Sequence, residues 1–206
     1  MKRLAVTALA ALLALGTGSA WAAQKKPKVG GTVDITQTGG PIPNAEGTVA
    51  GNFNSTIGVK GKRFNGTRIR DVNLTFTVTG SGPNASAQFY ATLSSPNGTT
   101  ISLWPSLSGV SPLGNSIGPL TLDDESRVTL VSVARDPTTL PAPWQGTAQP
   151  DCALLRQGCA LSAMDNGPVT GTWLLRAFDI GTSALTNTLD SWRIVVVAGR
   201  PFRSKP

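Results

Sequence analysis

The chain has no histidine anywhere in its 206 residues. Ser-His-Asp and Cys-His chemistry both need an imidazole as the positioned base, so neither constellation is open to it. Lysine is scarce as well, and beyond the N-terminus it is confined to Lys25, Lys26, Lys28, Lys60, Lys62 and Lys205. Those sites read as loops and tails that offer little burial to depress an amine pKa, which argues against a Ser-Lys dyad. Composition alone leaves a paired-carboxylate glycosidase open; the reading taken is non-catalytic. Long apolar runs are missing too. The longest, Leu4 to Leu15, falls far short of the ~20 residues a spanning helix needs, and nothing later is longer or more apolar. No membrane span is expected.

That short run has another reading. Lys2 and Arg3 precede it, and small residues and Ala20-Trp21-Ala22 follow, the layout of a secretory signal peptide with cleavage expected after Ala22. The expected address is secreted or periplasmic. Without Lys2 and Arg3 the 18 basic residues become 16 against 11 acidic, a net charge of +5. Part of it lies in tails and part in Lys60, Lys62, Arg63, Arg68 and Arg70, where Phe64 is the lone aromatic. A nucleic-acid footprint interleaves basic residues with stacking rings, so nucleic acid is not an expected partner. Cysteine is limited to Cys152 and Cys159. In an exported chain they read as a local disulfide that pins one loop, since CxxC spacing and an activating base are both lacking.

What remains is rich in Gly, Thr, Ser, Pro and Asn and shows no sustained helical period, so the expected class is all-β. Val72, Leu74, Phe76 and Val78 alternate with polar residues, and Phe89, Ala91 and Leu93 repeat the pattern. Further strands are expected over residues 100–104, 127–133, 172–178 and 192–198, the last with Val195, Val196 and Val197 buried on both faces. Turn signals at residues 80–84, 96–98 and 166–168 separate them. Short strands at this spacing predict one domain, a β-sandwich or jelly roll of the galactose-binding-like kind. Residues 23–40 read as a flexible lead-in, although 32–36 offers an edge strand, and 200–206 as a basic tail. The stretch 134–171 breaks the rhythm without a clear strand and is the first candidate for a binding loop.

Six short motifs occur in order: Ser95-Pro96-Asn97-Gly98-Thr99, the aliphatic run 101–104, Asp123-Asp124-Glu125, Gly146 to Pro150, Leu161 to Asn166, and Gly171-Thr172-Trp173 leading to Ser191-Trp192. In this order they resemble the P domain, or Homo B domain, of subtilisin-like proprotein convertases, over residues 31–199. The chain departs from that pattern in its missing histidine, in Gln88-Phe89 where the family has Asp-Leu, and around Leu185-Thr186, where an acidic turn residue is expected. The resemblance implies a sandwich that binds or stabilises a partner protein, with a subtilisin-like serine protease as the partner class. Any endopeptidase activity implied by the family would belong to a protease domain, which this chain does not contain.

Each candidate residue has a physical reading of its own. Trp173 and Trp192 read as core posts, since each buries up to ~250 Å². Trp104 and Trp144, beside Pro105 and Pro143, read as exposed contacts. Asp123, Asp124 and Glu125, with Asp165 and Asp179 brought near by the fold, would offer oxygen ligands to calcium, although their spacing is not that of an EF-hand loop. The competing reading is that these residues cap turns and accept from loop amides. Two functions stay open: a partner-protein module, which predicts an apolar patch on a sheet face, and a jelly-roll adhesion or carbohydrate-binding module, which predicts exposed Trp and amide side chains binding glycan.

Overall fold

The computed structural model describes residues 30–46, 49–82, 85–104, 116–130, 144–150, 160–181 and 183–200. Among the described residues nine strands carry the fold: β1 (Gly31–Ile42), β2 (Gly51–Val59), β3 (Arg68–Gly80), β4 (Phe89–Ser94), β5 (Thr100–Trp104), β6 (Ser116–Leu122), β7 (Trp144–Ala148), β8 (Gly171–Asp179) and β9 (Asn187–Gly199). Three short 3-10 turns, Lys62–Phe64, Ala85–Gln88 and Leu161–Met164, join them, and Leu130 is helical at the edge of the described residues. A five-stranded sheet in the order β1-β9-β3-β6-β7 packs on a four-stranded sheet in the order β2-β8-β4-β5. All pairings are antiparallel except β6 with β7. The molecule is an all-β sandwich built as one domain.

Alternation explains which residues meet between the sheets. On β3, Val72, Leu74, Phe76 and Val78 are buried, and each intervening residue is more open. On β4 the same period buries Phe89, Ala91 and Leu93. The period slips at two bulges, between Ile69 and Asp71 and between Thr77 and Val78. An extra residue there lets Leu189 and Trp192, three apart on β9, both face the core. Trp173 and Trp192 are both buried. The Trp192 indole N–H donates to Ser55 Oγ at 2.8 Å, a bond from β9 to β2 that ties one sheet to the other.

Several expectations change. The lead-in read as reaching Gly40 is strand from Gly31 onward, because β9 offers β1 an antiparallel edge along its length. Val196 is buried, but Val197 is 37% exposed, because only one face of β9 meets the other sheet. Residues 127–130 form no named strand; Thr129 makes an isolated bridge to Gln149, and the rest of that expected strand lies outside the described residues. The stretch from 134 holds β7, and β2 and β6 are strands that the alternation did not single out.

Candidate functional site

The turn motifs meet at one pole of the sandwich, while the run 101–104 forms β5 and Ser191-Trp192 lies within β9. Residues 95–99 close a tight turn, with Ser95 N–H donating to Thr99 O and Gly98 N–H to Ser95 O, both at 2.9 Å. Gly98 takes φ 86°, which a side chain would disfavour. Asn97 Oδ1 accepts from the Ser95 hydroxyl inside the turn. The turn lies against the start of β8: a Cβ on Gly171 would stand 2.7 Å from the Pro96 Cβ. It also lies beside Gly167, whose carbonyl accepts from Ile69 N–H at 3.0 Å, so β3 is tied to the same loop.

The acidic turn joins from the other sheet. Asp123 Oδ1 accepts from Glu125 N–H at 2.8 Å, a local turn that short acidic side chains favour. Asp124 spans the gap to the Leu161–Met164 turn and accepts from Leu161 N–H at 3.0 Å and Ser162 N–H at 2.7 Å. Its backbone carbonyl accepts from the Gln149 side chain at 2.7 Å, which brings in the end of β7. An open recess of about 300 Å³ lies here, lined by Asp124, Gln149, Pro150, Ala160 and Ser162. A recess of about 340 Å³ at the β1–β2 connection, lined by Pro43, Asn44, Glu46, Val49 and the start of β2, gathers none of these motifs.

The charge at this pole is concentrated. Asp71, at the start of β3, has its carboxyl pushed above the usual range, first by burial and then by Asp123. Asp165 is raised in the same way, by burial and then by Asp71 and Asp124, with Arg70 opposing. Glu125 is raised chiefly by its hydrogen bond with Asp123. The sequence reading missed Asp71, because only the β3–β6 register places it beside residue 123.

This arrangement does not match the calcium set read from sequence. Asp179 is elsewhere: it is buried, its Oδ1 accepts from Gly181 N–H at 3.0 Å, and its Oδ2 accepts from the Asn187 amide at 3.3 Å. Asp123 and Asp124 spend oxygens on backbone amides. Among the described residues no group of three acidic side chains is arranged to hold a metal ion. Asp123, Asp124 and Asp179 display the turn-capping reading in their hydrogen bonds.

The remaining candidates fall as follows. Cys152 and Cys159 lie outside the described residues. Trp104 ends β5 and Trp144 begins β7, and their side chains also lie outside the described residues. Phe64, the aromatic within the basic stretch, is buried, with the Arg63 guanidinium 4.5 Å from its ring centre, so it offers no open stacking surface. Among the described residues no helix is long and apolar enough to cross a membrane.

No family model matches the chain. No curated protein matches it either. Among solved structures, it is similar to the serine protease of Aeromonas sobria, at 15% identity over 82% of this chain and 26% of that one, with a TM-score of 0.40. It is also similar to the complex of Aeromonas sobria serine protease with its chaperone, at 15% identity over 84% of this chain and 27% of that one, with a TM-score of 0.37. The chain spans about a quarter of the length of each.

Proposed function

We propose that the chain is an exported, non-catalytic P-domain-like module that binds or stabilises a partner protein, with a subtilisin-like serine protease as the partner class. One observation carries this reading. The turns on which the family resemblance rests, at residues 95–99, 123–125, 146–150, 161–167 and 171–173, are scattered in sequence yet contiguous at one pole. The turns of a sandwich fall at one end or the other, and these five fall at the same end, joined by side chains that reach from turn to turn. As parts of one pole, each explains why the others keep their shape.

The non-catalytic part of this reading is supported by two features of the side chains. There is no imidazole, and Lys60 and Lys62 are exposed, so neither has the burial that lowers an amine pKa. Export rests on the N-terminal layout described above. The test is to incubate the purified chain with subtilisin-like proteases secreted by the same organism and to follow each protease's activity half-life at elevated temperature. A stabilised protease that also co-elutes with the chain is the expected result. Half-lives unchanged across that set, with no co-elution, would remove the protease-partner reading.

A further inference from the structure

The outer face of the four-stranded sheet has a chemistry that the pole does not share. Alternation turns Asn52, Phe178 and Tyr90 outward in one row across β2, β8 and β4, with Asn54 and Arg176 in the next. The Tyr90 and Phe178 rings lie 5.5 Å apart, tilted by 43°, and both are half-buried. The Tyr90 hydroxyl is held by Ser102 Oγ at 2.6 Å, which fixes the ring to β5. The Asn54 amide reaches Asn52 Oδ1 at 3.5 Å.

Charge separates this face from the opposite one. On the outer face of the five-stranded sheet, Arg193 is neutralised by Asp34 through two bonds of 2.6 Å. Arg176 is exposed and has no ion pair among the described residues. The only carboxylate on β2, β4, β5 or β8 is Asp179, which is buried and bonded to Asn187. The face therefore presents one unneutralised guanidinium beside two ring surfaces, with amides along one side.

We propose that this face binds an acidic polysaccharide, a chain of sugar rings bearing carboxylates. The rings of Tyr90 and Phe178 take the apolar side of a sugar ring, since aromatic side chains combine broad apolar area with little conformational freedom to lose. Arg176 takes the carboxylate through its two-pronged donor geometry. Asn52 and Asn54 supply both donors and acceptors to hydroxyls. Four strands at ~4.8 Å spacing give a platform about 14 Å across, enough for an extended chain to lie over it. A protein interface would call for a wider apolar centre than two rings bordered by amides.

The test is affinity electrophoresis and calorimetry of the purified chain with polygalacturonate, dextran sulfate and neutral dextran. Polygalacturonate should bind, and neutral dextran should not. Arg176→Gln should weaken polygalacturonate about tenfold, the loss of one charged hydrogen-bonding partner, while Arg193→Gln on the opposite face leaves it unchanged. Phe178→Thr, checked for an unaltered melting curve, should weaken it as well; if that variant unfolds, Tyr90→Leu serves in its place. Equal binding of dextran sulfate and polygalacturonate with no effect of Arg176→Gln would assign the attraction to net positive charge and overturn the proposal. So would absence of binding, or a partner protein whose capture is lost in Arg176→Gln while polygalacturonate is ignored.

Discussion

At the scale of single residues, the bond from Trp192 to Ser55 has consequences out of proportion to its size. A buried indole N–H without a partner costs roughly 1–3 kcal/mol, and Ser55, itself buried, is its acceptor. Ser55→Ala should therefore lower unfolding stability by about 1–3 kcal/mol in urea titrations. Trp192→Phe should cost more, since it also leaves space in a packed core. The double variant should cost less than the sum, because the two lose the same bond. Strict additivity would mean that the bond does not couple the sheets. The tryptophan's burial was legible in sequence from the run it opens. Its partner was not, because 137 positions separate the two residues and only the facing of β9 and β2 brings them together. Asp71 was hidden for the same kind of reason: alone it is a polar residue at a strand start, and register makes it part of an acidic pole.

At the scale of elements, the pole is held by side chains that reach from one turn to another. Asp124 satisfies two backbone amides at the start of the Leu161–Met164 turn, the role a capping residue plays at a helix start. Asp124→Ala should cost about 1–2 kcal/mol, and hydrogen exchange should quicken at Leu161 and Ser162 ahead of β3; unchanged exchange there would remove its capping role. The same pole sets a pH dependence. Asp71, Asp165 and Glu125 hold their protons to a higher pH folded than unfolded. The folded chain thus binds more protons in that window, and stability falls as pH rises through it. Their contribution is fully present below the ordinary values of 3.8 for Asp and 4.5 for Glu, and is lost as pH climbs through the raised ones. Asp71→Asn should therefore compare better with the parent chain at pH 7 than at pH 3.5, measured as the difference in denaturant midpoint. A difference that does not vary with pH would show that the carboxylates are not coupled. Element legibility followed the same physics. β3 and β4 were readable because Val72 to Val78 and Phe89 to Leu93 alternate with polar residues, and β5, β8 and β9 because each is a run rich in β-branched, aliphatic and aromatic residues. β2, with Asn52, Asn54 and Gly58, hides its period among polar residues and buries Ser55. β6 is interrupted by Gly118-Pro119, and β7 spans only five residues, so neither shows a pattern long enough to recognise.

At the scale of the whole molecule, the first strand closes against the last. β1 pairs with β9 from Gly31 opposite Ala198 to Ile42 opposite Asn187, so the sandwich is complete only when both ends of the described fold are present. β1 also contributes Val33 and Ile42 to the core, with Ile35 packed against it. Burying an apolar side chain of this size contributes roughly 1.5–3 kcal/mol, so the three together approach the ~5–15 kcal/mol by which a domain is stable at all. Removing β1 would also leave β9 as a long open edge carrying Val195 and Val197, an invitation to intermolecular pairing. Two truncations separate this from a general effect of shortening. A chain starting at Gly30 keeps all of β1 and its pairing with β9 and should melt cooperatively within a few degrees of the 206-residue chain. A chain starting at Pro43 should lose its cooperative transition and aggregate, as read by near-ultraviolet circular dichroism and light scattering. If the shorter chain still melts cooperatively, β1 is an attachment to a core completed by the other eight strands. If the longer one fails as well, the residues before Gly30 carry stability that the pairing of β1 with β9 does not explain.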